Sequence, residues 1–143
     1  MPLGDIYFEY TDSPLPSEEA LLLQGINAHA MKTRGMKPVH YFAIYVRLGK
    51  DQKMIGGLKG LIYYGALYID LLWVPPEYQR TGLGRELMKK AEEYAKKAHC
   101  SFATLETMDW EALSFYKKLG YSIEFVREGF ENDSKMYSLR KKL

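Results

Sequence analysis

The sequence predicts one mixed α/β domain over residues 1–143, with a central sheet and helices on both of its faces. Segments with strand and helix patterns follow one another in the order β-α-β-β-β-α-β-α-β-β. Hairpins come first and helical crossovers come later, and a crossover allows parallel pairing between residues 66–74 and 101–106. A chain of 143 residues is long enough to bury about two-thirds of its unfolded surface in one domain.

The first part of the chain predicts a short strand, a helix and a hairpin. Turn residues at 11–16 separate the first strand from the helix. Ser17 is the expected N-cap of that helix, and Gly35 marks its end. Three glycines in the second hairpin strand predict a bulge or a close backbone approach. The predicted elements are strand 5–10, a helix from Ser17, strand 40–48, turn 49–52 and strand 53–64.

The second part predicts the crossovers and a final pair of strands. Apolar residues at helical spacing begin at Leu83, and Gly120 ends a second helical segment. A polar loop at 127–133 separates the last two strands. The predicted elements are strand 66–74, helix 82–98, strand 101–106, helix 109–119 and strands 121–126 and 135–139.

The composition is that of an ordinary globular protein, with 47% hydrophobic and 27% charged residues. A net charge of +2 is too small to predict a nucleic-acid partner or binding to an anionic membrane. One cysteine, Cys100, fits a reducing compartment, and no stretch approaches the length of a membrane span. The three histidines are dispersed, so no metal site is expected. We therefore expect a soluble, cytoplasmic protein with no nucleic-acid or membrane partner.

A short glycine loop joins an apolar strand to a helix within residues 70–85. Pro75 and Pro76 end the strand, because proline cannot donate to the ladder of hydrogen bonds. The first amides of the following helix have no internal partner, and the helix dipole adds about half a positive charge at that end. Gly82 and Gly84 allow an anion to approach the backbone closely. The junction therefore predicts a phosphate site.

Two common phosphate loops do not fit these residues. The loop lacks the Lys-Ser/Thr pair that follows the last glycine of a P-loop, and position 87, where a dinucleotide fingerprint needs glycine or alanine, is Leu87. The remaining pattern is Gln-x-x-Gly-x-Gly at 79–84, preceded by Val74-x-Pro76. This pattern resembles the pyrophosphate loop of the GNAT superfamily of acyl-CoA-dependent N-acetyltransferases.

A second segment resembles the other signature of that superfamily, Asn-x-x-Ala-x-x-Leu/Phe-Tyr-x-Lys-x-Gly-Phe/Tyr. It runs from Asp109 through Ala112, Tyr116 and Gly120 to Tyr121. The departure is Asp109, where asparagine is usual. The two motifs and the order of elements cover most of residues 40–143. They imply a GNAT-like fold, whose mostly antiparallel sheet contains one parallel strand pair that splays apart.

The resemblance implies that acetyl-CoA is the co-substrate, with no metal. Backbone amides of the glycine loop would hold the pyrophosphate, and the pantetheine arm would pair with the strand backbone in the gap between the parallel strands. The alternative for the loop taken alone is an ordinary strand–helix turn. The implied coenzyme-binding residues are Leu72, Trp73, Val74, Gln79, Arg80, Thr81, Gly82, Leu83, Gly84, Arg85, Asp109 and Tyr116.

Tyr116 is the implied general acid, whose hydroxyl would protonate the departing thiolate. A phenol with a pKa near 10 can give a proton to a thiolate of comparable basicity. Its helical spacing fits a core aromatic as well. Asp109 has a structural alternative too, since aspartate is a preferred N-cap for the helix that it opens. Aspartate cannot donate a hydrogen bond, so the coenzyme contact of the usual asparagine is in question here.

The reaction needs a base, because an amine at neutral pH is mostly ammonium. Asp70 ranks first, since a carboxylate in an apolar strand is costly unless it is paired, and Glu106 ranks second. The superfamily's most familiar base position falls on Tyr68. Alternation along the strand predicts that Tyr68, Asp70, Leu72 and Val74 lie on one side. A structural hydrogen bond, or recognition of a cationic acceptor, explains Asp70 equally well.

The sequence thus predicts an acetyl-CoA-dependent N-acetyltransferase that acts directly on a primary amine of a small molecule, peptide or protein. The alternative is a coenzyme A-binding regulatory module without turnover. Acceptor specificity is expected in residues 11–38 and 127–134, where no motif identifies the acceptor. A homodimer, common in the superfamily, is possible.

Overall fold

The computed structural model describes residues 4–143, and the described part contains three α-helices and six strands. Its contacts divide the chain into two units, one ending at Pro38 and one spanning Val39–Leu143. None of the helices within residues 4–143 has the length and apolarity needed to cross a membrane. The elements are α1 (Pro16–Arg34), β1 (His40–Leu48), β2 (Lys53–Tyr63), β3 (Ala66–Trp73), α2 (Leu83–Lys97), β4 (Phe102–Met108), α3 (Leu113–Lys118), β5 (Ser122–Phe130) and β6 (Ser134–Lys142).

The first unit contains α1 and an irregular segment before it. The predicted strand at 5–10 is wrong, because residues 6–10 form no strand and their large side chains are more than half exposed. The predicted cap at Ser17 is also wrong. Leu15 flanks the helix, and Pro16 occupies its first turn, where a missing amide proton costs nothing. Gly35 ends α1 in the left-handed conformation, as predicted, with its amide bonded to the last turn.

The second unit is a six-stranded sheet in the order β1-β2-β3-β4-β6-β5. Every neighbouring pair is antiparallel except β3 and β4, which are parallel. The predicted mixed sheet with one parallel pair is therefore confirmed. The later strands are longer than predicted. β4 continues to Met108 and β5 to Phe130, and only residues 131–133 separate β5 from β6.

Two bulges change the register of the sheet. On β2, Ile55 is the extra residue, because Val46 pairs with Gly56 and Arg47 with Met54. Gly56 has a φ of +151°, and a Cβ there would lie 2.8 Å from a β3 carbonyl oxygen. The glycines of β2 therefore mark both the bulge and the close approach that the sequence predicts.

The second bulge lies on β3 and corrects a predicted alignment. Lys59 pairs with Leu71 and the next β2 residue pairs with Ile69, so Asp70 is the extra residue. Alternation resumes one residue later, and Leu72 packs against the hydrophobic core instead of sharing the face of Tyr68. The prediction that Tyr68, Asp70, Leu72 and Val74 all lie on one side is wrong, because an inserted residue reverses the sides beyond it.

One face of the sheet packs against α2 and α3. The register places Leu58, Leu67, Leu105 and Leu139 on this face, where they join the buried side chains of the helices. The apolar residues of α2 recur at helical spacing and form one buried stripe. We call this the core face and the other the open face. Both predicted motifs therefore lie on elements held by a single core. The buried apolar and aromatic side chains of the helices are Leu87, Met88, Ala91, Ala95 and Tyr116.

Candidate functional site

The parallel strands β3 and β4 separate at one defined point. Their pairing runs from Ala66 with Phe102 to Ile69 with Leu105 and does not continue, although both strands extend further. The first residues beyond the last pair are Asp70 on β3 and Glu106 on β4. On its other side, β3 stays paired with β2 as far as Trp73. The backbone edge of β3 that faces β4 is therefore without a strand partner beyond Ile69.

The bulge at Asp70 helps to produce this opening. A bulge bends its strand and increases the local twist, and this one lies directly after the last parallel pair. The predicted coenzyme-binding residues Leu72 and Trp73, at the end of β3, and Val74, directly after it, line the unpaired edge. Their backbone, rather than their side chains, faces the gap, because strand hydrogen-bonding groups lie in the plane of the sheet.

A polar side chain ties the glycine loop to the end of β3. The Gln79 amide nitrogen donates a 3.0 Å hydrogen bond to the Val74 carbonyl oxygen. Thr81 donates from its hydroxyl to the Tyr78 carbonyl oxygen, and a short turn closes with the Tyr78 amide on Pro75. The sequence motif contains Gln79, but this structural role was not predicted from it. The bond uses one lone pair of the Val74 carbonyl oxygen and fixes the loop against the end of the strand.

The loop leads directly into the N-terminus of α2. Gly82 flanks the helix with a φ of +91°, a conformation that favours glycine, and a Cβ there would meet no atom within 4 Å. The amides of the first turn, from Leu83 to Arg85, have no carbonyl one turn earlier in the helix. At Gly84, a Cβ would lie 3.3 Å from the Phe115 ring of α3. This is a narrow, donor-rich cradle that suits a pyrophosphate.

The ring of Tyr116 is buried and held by neighbouring rings. Its residue is 8% exposed, and ring centroids of Phe115 and Tyr121 lie 5.1 and 6.0 Å away. Burial, aided by the negative charge of Glu111, raises the pKa of Tyr116 to about 12. Within residues 4–143, its hydroxyl forms no hydrogen bond to another side chain. Every fully buried side-chain nitrogen or oxygen atom in the same range has a hydrogen-bond partner. The hydroxyl oxygen therefore reaches the surface.

The carboxylate of Glu106 lies on the open face, on the opposite side of the sheet from the Tyr116 ring. It accepts a 2.8 Å hydrogen bond from the hydroxyl of Tyr68. The pairing of Tyr68 with Thr104 places these side chains on the same face of neighbouring strands. Burial and the Glu106 carboxylate raise the pKa of Tyr68, so this phenol stays protonated and donates. The structure thus joins Glu106, the second of the two predicted bases, to Tyr68.

Asp70 is in a different environment. Its carboxylate lies 3.8 Å from the Lys59 ammonium, and the two side chains are 39% and 50% exposed. The pairing expected of an aspartate in this strand is present. The Asp70 carboxylate is ion-paired and is not deeply buried. Asp70 is therefore the exposed, ion-paired residue of a bulge.

Asp109 does not cap α3, so the predicted N-cap is wrong. The helix begins at Leu113, and residues 109–112 form a turn. The turn is held by its own bonds: the Glu111 carboxylate accepts from the Met108 amide, and the Thr107 hydroxyl accepts from the Ala112 amide. The Asp109 amide donates to the Lys135 carbonyl oxygen at 2.8 Å. Asp109 therefore belongs to the turn that directly follows β4.

Metal chemistry has no visible site in the described part of the chain. Within residues 4–143, no three side chains of His, Cys, Asp or Glu converge as metal ligands would.

A comparison with known protein families agrees with this geometry. The model of the family described as "Acetyltransferase (GNAT) family" matches residues 5–121. The chain belongs to the acetyltransferase (GNAT) family. The match includes both the glycine loop and the segment that carries Tyr116.

Two relatives and one solved structure show how far the similarity to this GNAT chain extends. Blasticidin-S acetyltransferase of Streptomyces morookaense is 34% identical over 61% of this chain, and thialysine N-epsilon-acetyltransferase of Bos taurus is 38% identical over 38% of it. These matches span 64% and 33% of the two relatives' own lengths. A solved structure from Agrobacterium tumefaciens, described as an acetyltransferase, superimposes with a TM-score of 0.81 at 26% identity, covering 96% of this chain and all of the other.

Proposed function

We propose that this GNAT protein transfers an acetyl group from acetyl-CoA directly to a primary amine of a small molecule. The observation that carries the proposal is the gap between β3 and β4, with Glu106 on the open face and the Tyr116 hydroxyl on the core side. The gap leads to the glycine loop and the N-terminus of α2, where phosphates are favoured. Two reactants that meet in one cleft gain much of their rate from proximity alone.

The residues around the gap suit the coenzyme. Bound acetyl-CoA supplies an acetyl thioester, which an amine can attack. The amides at the start of α2, with Arg80 and Arg85 beside them, would bind its pyrophosphate. The unpaired edge of β3 from Leu72 to Val74 would bind its pantetheine arm as an added strand. A backbone amide of that edge would also donate to the thioester carbonyl oxygen, where negative charge develops.

Glu106 is the base that the geometry favours, ahead of Asp70. It lies at the mouth of the gap on the open face, and the Tyr68 hydroxyl orients its carboxylate. Asp70 is ion-paired with Lys59, and withdrawing it for proton transfer would break that pair. Glu106 would take a proton from the ammonium form of the acceptor, directly or through one water.

Tyr116 would act on the leaving group. Its pKa of about 12 keeps the phenol protonated at any pH at which the protein works. Complete proton transfer to a thiolate with a pKa near 8.5 is uphill from such a phenol. Tyr116 is therefore a hydrogen-bond donor that stabilises the developing thiolate, and the proton that finally reaches sulfur can come from solvent.

The names of two relatives indicate the class of acceptor. One is named for blasticidin S and the other for the ε-amine of thialysine, both small molecules that carry an amine. Each match covers less than two-thirds of the relative, so the acceptor class is an inference from shared coenzyme-side sequence and from the open site. A small amine is the acceptor that we propose.

The test combines coenzyme binding with turnover. Acetyl-CoA binding is measured by calorimetry, and thiol release is followed over a panel of monoamines, diamines, amino acids and lysine peptides, with the acetylated product identified by mass. We expect binding and turnover of at least one small amine. In Tyr116→Phe, we expect kcat to fall about 10- to 100-fold with acetyl-CoA affinity unchanged. Tight binding with no acetylated product would instead identify a coenzyme-binding module.

A further inference from the structure

A groove of about 730 Å³ lies beyond Glu106, between the end of β4 and the loop that joins β5 to β6. Three of its six lining residues are apolar or aromatic, the other three are polar, and one of the polar residues is charged. The lining residues are Met108, Trp110, Phe130, Glu131, Asn132 and Ser134.

Two groups in this groove have no partner within residues 4–143. The Glu131 carboxylate forms no side-chain hydrogen bond or salt bridge, whereas its neighbour Glu128 is paired with Lys135 at 3.5 Å. The Trp110 ring is 69% exposed and packs against no other ring. An unpaired carboxylate and an exposed indole that line one groove attract an organic cation, because the carboxylate and the negative face of the ring both interact favourably with positive charge.

The wall that carries Glu131 is a short, closed loop. Phe130 pairs with Ser134 across it, and the Ser134 amide donates to the Glu131 carbonyl oxygen. Asn132 and Asp133 have φ values of +56° and +58°, a conformation that these two residue types adopt more readily than most. The backbone position of Glu131 is therefore fixed by the loop itself.

The groove continues the same face of the sheet as Glu106. Met108 lies two residues along β4 from Glu106, so the two side chains point the same way, about 7 Å apart along the strand. A linear chain of about six bonds spans this distance. A molecule whose reacting nitrogen lies at Glu106 would therefore extend its other end into the groove.

We propose that the groove is the subsite for a second cation of the acceptor, so that the preferred acceptors are diamines or guanidinium-bearing amines rather than monoamines. The proposal rests on the function proposed above, since it takes Glu106 as the position of the reacting amine. Glu131 binds the distal cation, and Trp110 and Phe130 bind the apolar linker. Acceptors with about six bonds between their two nitrogens reach from Glu106 to the start of the groove at Met108, and longer acceptors extend further along it.

Binding and turnover are measured separately. Binding is followed by the indole N–H resonance of Trp110, which is assigned by its loss in Trp110→Phe. The probes are diaminopentane and diaminooctane, with pentylamine and octylamine as matched monoamines. We expect the diamines to shift the resonance in the wild type and in Glu128→Gln, but not in Glu131→Gln at the same concentration. Turnover of the same four amines is followed by thiol release from acetyl-CoA.

The kinetic expectation is a change in KM alone. Glu131→Gln should raise KM for the diamines about fivefold, leave kcat unchanged and leave both monoamines unaffected. Glu128→Gln, which removes a paired carboxylate outside the groove, should change neither constant. If Glu131→Gln affects monoamines and diamines equally, or neither, or if diamines do not shift the Trp110 resonance, the subsite is overturned. A shift without turnover of any amine would retain the cation site and refute the acetyltransferase proposal.

Discussion

The Tyr68 hydroxyl and the Glu106 carboxylate form a 2.8 Å hydrogen bond between neighbouring parallel strands, immediately beside the point where those strands separate. The bond connects a phenol that remains protonated with a carboxylate that faces the open side of the sheet. Because Glu106 has a free second oxygen, it can accept from Tyr68 and from an incoming ammonium at the same time.

Removing this bond should impair turnover without abolishing it. In Tyr68→Phe, Glu106 keeps its charge but loses the group that orients it. We therefore expect kcat/KM to fall about 3- to 10-fold, equivalent to one hydrogen bond. Tyr63→Phe is the control, since its ring lies 6.5 Å from that of Tyr68 and makes no bond to Glu106. Equal losses in the two variants, measured by thiol release, would show that Tyr68 does not act through Glu106.

The buried tyrosines predict a loss of stability at alkaline pH. An unfolded tyrosine loses its proton near pH 10, whereas Tyr116 in the fold holds its proton until about pH 12. Between these values the native state binds more protons than the unfolded state, so the free energy of unfolding falls as pH rises, by up to about 1.4 kcal/mol per pH unit for this group. Below pH 10 the contribution is fully present.

Urea unfolding at pH 8 and pH 11 tests this directly. Tyr116→Phe should lose less stability between the two values than the wild type, because one of the titrating groups is gone. Phe115→Leu, a core change next to it without a titrating group, should keep the wild-type difference. An unchanged difference in Tyr116→Phe would mean that its proton is not held by the fold.

A buried ion pair on the core face supports the position of Tyr116. Glu92 is 7% exposed and accepts a 2.7 Å bond from the Lys141 ammonium and a 2.9 Å bond from the Tyr121 hydroxyl. The Tyr121 ring in turn packs against that of Tyr116. Removing Glu92 would leave the buried Tyr121 hydroxyl and the partly exposed Lys141 ammonium without this acceptor.

We expect Glu92→Ala to lower the free energy of unfolding by about 1–3 kcal/mol and Glu92→Gln, which keeps an acceptor, by less. Glu86→Ala breaks an exposed pair with Lys90 on the same helix and should cost less than about 0.5 kcal/mol. The measurement is urea unfolding at neutral pH. If Glu92→Ala lowers the free energy of unfolding by no more than Glu86→Ala does, the ion pair does not support the fold around Tyr116.

The order of elements and the coenzyme loop could be read from the sequence because both depend on local patterns. Prolines end β3, glycines open α2, and helical spacing continues to the end of that helix. Residues 5–10 have the composition of a strand, but a strand needs a neighbour to pair with, and composition does not show whether one is present. Ser17 failed as a cap because Pro16 already suits the first turn of α1.

The bulge at Asp70 could not be predicted in the same way. An extra residue on one strand is defined only relative to its partner, here by Lys59 opposite Leu71, and that pairing is not written in either strand alone. Strict alternation therefore predicted the wrong side for Leu72. The same limit applies to the Gln79 bond with Val74 and to the Tyr68–Glu106 bond, since both depend on how separate elements meet.

Glycine at position 56 is required by the geometry of the bulge. Its φ of +151° and the 2.8 Å that a Cβ would leave to the Trp73 carbonyl oxygen are both unfavourable for alanine. We expect Gly56→Ala to lower the free energy of unfolding by at least about 2 kcal/mol. Gly25→Ala in α1, where a Cβ meets nothing within 4 Å, is the matched change and should raise helicity slightly. A neutral effect of Gly56→Ala on urea unfolding would contradict the close approach.

Glu106→Gln and Asp70→Asn are compared in acetyl-CoA-dependent thiol release on the best small amine. We expect a loss of about 100-fold or more in kcat/KM for Glu106→Gln, with acetyl-CoA binding unchanged, and less than about threefold for Asp70→Asn. The opposite order, or full activity in Glu106→Gln, would contradict the claim that the carboxylate at the mouth of the β3–β4 gap takes the proton of the acceptor amine.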